Sequence, residues 1–210
     1  MTARSSLPAL YLASQSPRRR EILADLGIPF TLRASPYQES TGDVVGLLPK
    51  EQAARLAGLK AFHAAKGLEE GIVIGADTIV VLDEHVLGKP RDRDDAKRML
   101  GMLSGRSHRV ITGLSLVEAD TGRTVTHAEI THVVFKLLSE REITDYIDSP
   151  EPYDKAGAYA IQGMASLFVE RIEGCYFNVV GFPVVAFGNL MKHIGVDIMD
   201  YVGKTGKKPR

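Results

Sequence analysis

The stretch GIVIGADTIVVLD, Gly71–Asp83, is a near-continuous apolar run rich in β-branched residues. Such a run reads as a strand buried on both faces, the kind found at the centre of an α/β sheet. It is expected to break at Gly75, Ala76 and Asp77, which puts an ionisable side chain where burial is expected. A lone buried carboxylate is costly unless it is paired, hydrogen-bonded or bound to a metal. Asp77 is therefore the sharpest single candidate in the chain, against the plainer reading of an aspartate capping a turn.

The elements on either side alternate between strand and helix. ALYLAS (Ala9–Ser14) is a short apolar strand, followed by a helix from Ser16 to Gly27 with Ile22, Leu23 and Leu26 on one face. A polar loop, SPYQESTGD (Ser35–Asp43), leads to a second helix opened by Pro49, whose alanines, Leu56 and Leu59 supply the buried stripe. Beyond the loop LGKPRDRDD (Leu87–Asp95) a third helix runs to Leu103 and stops at Ser104-Gly105. His108–Ala119 and Thr124–Leu138 flank DTGR as a long β-hairpin. SERE (Ser139–Glu142) is a capping box for a short helix. Glu151–Gly163 is too rich in glycine and polar residues for regular structure, Ser166–Gly174 reads as a strand, and a last helix begins at Pro183. The expectation is one mixed α/β domain over residues 1–202, with any two lobes sharing one sheet, and a basic tail over 203–210.

Composition narrows the class. The chain has 210 residues, 44% of them hydrophobic and 25% charged, which are ordinary globular values. The formal net charge is zero, against a generic nucleic-acid or anionic-membrane binder, and with no tryptophan it offers little for stacking on single strands. One cysteine, Cys175, allows neither an internal disulfide nor a Cys-x-x-Cys zinc site and reads as a packed side chain. No signal peptide or membrane span is evident, so a cytoplasmic location is expected.

In LASQSPRRREIL, Leu12–Leu23, Ser16 and Pro17 read as the N-cap and first residue of a helix. Arg18, Arg19 and Arg20 then crowd three cations into a helix end that already carries about half a positive charge, where Asp or Glu would normally sit. Arg20 reads as a solvated surface charge. Arg18 and Arg19 read as anion-holding residues, with the Ser14 and Ser16 hydroxyls completing a phosphate cradle. Lys89, pinned between Gly88 and Pro90, is placed to point at one spot, whereas Lys60 and Glu39 are weak signals taken singly. His127 and His132 differ by an odd number within one strand and so face opposite sides; His108 reads as structural. Walker, G-x-G-x-x-G, G-x-S-x-G and H-E-x-x-H patterns are absent. What remains is cationic, oxygen-ligand chemistry: Lys and Arg for phosphates, and carboxylates suited to Mg²⁺ or Mn²⁺.

LASQSPRRREIL, GADTIVVLD, GKPRD, LSGRSHRVITG and EPYDKAGAYAIQG, in this order, resemble the Maf family of nucleoside triphosphate pyrophosphatases, once known as septum-formation inhibitors. The likeness runs from about Leu12 to Leu190. It implies an elongated two-lobed α/β fold with a central cleft, similar in shape to inosine triphosphate pyrophosphatases, and metal-assisted hydrolysis of a nucleoside triphosphate to the monophosphate and pyrophosphate. It also leaves a homodimer open. By this resemblance Asp77 is the proton acceptor, and Arg18, Thr78 and Gln162 match the subgroup acting on dTTP and UTP rather than on 7-methyl-GTP. Gln162 can donate and accept together, which suits the O4 and N3–H edge of a pyrimidine. The chain departs from the family at Gly58 and Leu59, where a charged pair is common before the lysine.

The expected site thus has Ser14, Ser16, Arg18, Arg19, Lys60, Thr78, Lys89 and Gln162 on the nucleotide. Glu39 and Asp77 hold Mg²⁺ or Mn²⁺, and Asp77 acts as general base or as metal ligand. The competing reading is a non-catalytic nucleotide-binding regulator of septation.

Overall fold

A computed structural model describes residues 7–203. The start of the N-terminal segment and the basic tail beyond Gly203, both interpreted above, lie outside them. One seven-stranded mixed sheet carries the molecule, comprising β1 (Leu10–Leu12), β2 (Thr31–Leu32), β3 (Ile72–Leu82), β4 (His85–Leu87), β5 (Ser107–Glu118), β6 (Thr124–Phe135) and β7 (Val169–Glu173). Its order is β2-β1-β3-β5-β6-β7, with β4 also paired to β3. The helices among the described residues are α1 (Pro17–Asp25), α2 (Pro49–Ala65), α3 (Arg93–Leu103), α4 (Glu140–Ile147), α5 (Tyr176–Val180) and α6 (Val184–His193). None of them is long and apolar enough to cross a membrane.

The central strand corrects one expectation. β3 runs through Gly75, Ala76 and Asp77 without a break, because β5 pairs with it continuously from Ile72 to Val81. Its other edge is shared. β1 pairs in parallel at Ile72–Ile74 and β4 antiparallel at Val80–Leu82, so, among the described residues, 75–79 have no strand neighbour on that side. This notch between two three-residue strands interrupts the sheet, and Asp77 sits in the middle of a buried strand beside it.

Side chains alternate along β3. Ile72, Ile74 and Ala76 join a core with α1 and α6, while Val80 and Leu82 join a second core with α3 and α4. Thr78 lies on that same face, between the two. The opposite face is covered by α2. There Ala53, Ala57, Ala61 and Ala64 are all buried at helical spacing, while Leu59 lies to one side of the stripe and is only partly buried. The alanines meet glycines: a Cβ on Gly113 would stand 2.0 Å from the Ala53 carbonyl oxygen, and one on Gly75 would stand 2.2 Å from that of Ala57. Both glycines are required by close approach of the helix. Gly113 pairs directly opposite Asp77, so this approach also brings α2 over the carboxylate. Gly113→Ala is expected to destabilise the fold by on the order of 1–3 kcal/mol, since backbone cannot yield as a side chain can; urea unfolding against the parent chain checks this.

Local signals elsewhere act as expected. Ser139 and Glu142 form both halves of the capping box of α4, and Gly105 adopts φ +67° just after α3. The hairpin β5–β6 forms where expected, but β6 ends at Phe135, so residues 136–138 are not strand. Ser166–Phe168, however, is not strand; it belongs to a 3-10 turn and its end before β7.

Candidate active site

The notch opens into a cleft of about 960 Å³ that reaches both faces of β3. Ser14, Ser16, Arg18, Arg19, Glu39, Lys60, Asp77, Thr78, Lys89 and Gln162, each expected from the sequence to serve the site, all line it.

On the α2 face, Asp77 is 8% exposed. Lys60, brought over it by the alanine–glycine packing, places Nζ 2.5 Å from Asp77 Oδ1 and 2.5 Å from Glu39 Oε1. Two carboxylates from distant parts of the chain therefore converge on one cation. Among the described residues, no group of three or more His, Cys, Asp or Glu side chains is placed to hold a metal ion. The donor set fits a hard divalent ion that takes one or two protein carboxylates and completes its shell with water and phosphate oxygens. Tyr37, on the loop that carries Glu39, donates its hydroxyl to Asp43; burial and that bond push its pKa up to about 12.

At the start of α1 two expectations change. Ser16 occupies the N-cap position but its hydroxyl caps nothing; its N–H instead donates to Ser14 Oγ at 3.3 Å. Arg19 is not a free anion-holding arginine. Its Nε donates to the Gly181 carbonyl (2.8 Å), Nη1 to Ser14 Oγ (3.0 Å) and the Ala76 carbonyl (2.9 Å), and Nη2 to Thr78 Oγ1 (2.9 Å). Four of its five N–H groups are thus spent on the protein. The bond to Ala76 satisfies a strand-edge carbonyl in the notch. Burial lowers the Arg19 pKa to about 10, which leaves it cationic at neutral pH. It acts as a strut with a charge, offering a ligand one N–H. Arg18 is the more available arginine, with Nη1 4.0 Å from Asp154 across the cleft. Lys89 and Gln162 are exposed at the cleft wall.

Several residues at or behind the wall do not stand out one by one in the sequence. Lys155 lines the cleft, bonded to the Glu151 carbonyl (2.9 Å) and to Asp154. Tyr159 is buried at the cleft wall with its hydroxyl 2.8 Å from His108 Nε2. α5, too short to stand out by periodicity, carries Asn178, and Gly181 ends it at φ +112°. Thr112, Thr131 and Asn178 form a buried polar cluster whose only sequence sign is a hydroxyl or amide inside an apolar run.

The family model described as Maf-like protein matches residues 9–194. The chain belongs to the Maf family. Among curated relatives of this Maf chain, the dTTP/UTP pyrophosphatase of Desulforamulus reducens is 43% identical over 196 residues, covering 90% of this chain and 98% of the relative. The dTTP/UTP pyrophosphatase of Carboxydothermus hydrogenoformans is 49% identical over 175 residues, covering 83% and 92%. Among solved structures, a nucleoside-triphosphatase (dITP/XTP pyrophosphatase) from Mycobacterium abscessus overlaps 60% of the Maf chain and 74% of its own, with 15% identity and a TM-score of 0.40.

Proposed function

We propose that this chain hydrolyses dTTP and UTP to the monophosphate and pyrophosphate, with Mg²⁺ or Mn²⁺ as cofactor. The observation that carries the reading is the convergence of Asp77 and Glu39 on Lys60 Nζ inside a cleft also lined by Arg18 and Lys89. A pure binder gains nothing from paired carboxylates beside a phosphate site. The names of the relatives supply the substrate class.

Glu39 and Asp77 are the residues that would hold the metal. When bound, it supplies charge neutralisation at the α-phosphate and acidification of a water molecule. Lys60 anchors Asp77 through Oδ1, which leaves Oδ2 to serve the attacking water, by taking its proton directly or by holding the metal that would acidify it. As the bond from the α-phosphorus to the bridging oxygen breaks, charge grows on the departing pyrophosphate. Arg18 and Lys89 are the cations placed to receive it. Lys89→Ala is accordingly expected to lower kcat/KM by about 10²-fold with little change in thermal midpoint, because its side chain is exposed.

The deciding experiment is pyrophosphate release with Mg²⁺ or Mn²⁺ across dTTP, UTP, CTP, GTP and 7-methyl-GTP. Turnover confined to dTTP and UTP supports the proposal. Turnover of 7-methyl-GTP keeps the chemistry and overturns the specificity. Binding of a nucleotide with no turnover of any of them transfers the chain to the regulator reading.

A further inference from the structure

Thr78 and Asp77 are consecutive residues on opposite faces of β3. Asp77 faces the ionic side of the cleft. Thr78 faces the side where Val80, Val110, Val179 and Tyr159 line the wall, the apolar surface available to a flat base. Thr78 pairs across the sheet with Thr112, and Val80 pairs with Val110, so the two threonines and the two valines form adjacent rungs.

The hydrogens around Thr78 can be assigned one by one. Thr112 Oγ1 lies 3.0 Å from the Asn178 carbonyl oxygen, and a carbonyl only accepts, so the single hydroxyl proton of Thr112 is committed there. The 2.9 Å contact between Thr78 Oγ1 and Thr112 Oγ1 must then run from the Thr78 hydroxyl to Thr112. Arg19 Nη2 donates to Thr78 Oγ1 at 2.9 Å. The chain of bonds has one direction, from Arg19 through Thr78 and Thr112 to Asn178. Thr78 has given away its proton and filled one lone pair; the second lone pair is all it retains. Access to it depends on Gly181, since a Cβ there would stand 3.2 Å from Thr78 Oγ1.

We propose that Thr112, fully buried and absent from the cleft wall, is a positioning residue for base selection: it locks the Thr78 hydroxyl as a pure acceptor, which accepts the N3–H of uracil or thymine and rejects the lone pair of cytosine N3. The inference rests on the pyrimidine reading above and deepens it. Thr112 itself is 0% exposed. Gln162, on the same cleft, is free to donate to O4. A cytosine facing Thr78 sets two acceptors against each other, and such a mismatch in a partly desolvated site costs roughly 10- to 100-fold in affinity.

The test compares Thr112→Val and Thr112→Ser. Valine keeps the shape and removes the acceptor, so the Thr78 proton is released and its hydroxyl can turn to donate to cytosine. The UTP-to-CTP ratio of kcat/KM is expected to narrow by about tenfold or more in Thr112→Val, mainly through KM, and to return in Thr112→Ser. A uniform loss for both nucleotides, or an unchanged ratio, overturns the proposal. Titration of UMP and CMP by calorimetry reads the same preference without turnover, so a failed hydrolase assignment is told apart from a failed Thr112 assignment. Should Thr112→Val not fold, Thr112→Ala, which removes the same acceptor and adds no bulk, replaces it in the UTP-to-CTP comparison, and an unchanged ratio overturns the inference.

Discussion

Asp77→Asn is expected to abolish pyrophosphate release, lowering kcat by about 10²- to 10⁴-fold, the range for loss of a positioned general base. The chain should still fold. Asparagine matches aspartate in size, retains an oxygen for Lys60 Nζ at the position of Oδ1, and leaves the Lys60–Glu39 pair in place. A far-ultraviolet circular dichroism spectrum and urea midpoint close to those of the parent, together with retained nucleotide binding, would locate the loss in the chemical step. Turnover within a few-fold of the parent would remove Asp77 from the mechanism and leave Glu39 as the remaining carboxylate of the pair.

The second large effect is on stability at mildly acidic pH. His108 is 2% exposed, its Nε2 meets the Tyr159 hydroxyl, and its Nδ1 has no hydrogen-bond partner among the described residues. Burial lowers its pKa to about 4 from an ordinary 6.5. Between these values the unfolded chain binds a proton that the folded chain refuses. Stability is therefore complete above pH 6.5 and drains away as pH falls towards 4, by about 3 kcal/mol in total. Stability measured by urea unfolding from pH 7 to pH 4.5 should show this slope, and His108→Gln should flatten it. The displaced carboxylates act lower: Glu142, held down to about 2 by Lys136 and Ser139, loses its contribution only as pH drops below the ordinary carboxylate range.

Legibility of the fold tracked the length of each pattern. The long hairpin, α3 and α4 were readable because their periodicity or caps extend over many residues. β2, β4 and α5 were not, since two to five residues carry no period, and they form only because β1, β3 and β5 offer edges or faces to them. The supposed break in β3 shows the cause most plainly. In the sequence Gly75 reads as punctuation, whereas in the structure its missing side chain makes room for α2. Of the site, Asp77 stood out because a carboxylate in an apolar run is anomalous by itself. The protein contacts of Arg19 were hidden for the complementary reason: a helix-start cation has the same sequence signature whether or not it also binds carbonyls from 57 and 162 residues away.

The adjacency of Asp77 and Thr78 also bears on how such an enzyme can change. One peptide unit joins the carboxylate proposed to serve hydrolysis to the hydroxyl proposed to tell one base from another, and both ride on a strand paired to β5 from Ile72 to Val81. Any shift of that strand disturbs rate and selectivity together. Substrate range can drift separately through side chains off that strand: Arg18 and Gln162 at the cleft wall, and the buried rung at Thr112 one step behind it, where a change alters base preference without touching the carboxylate.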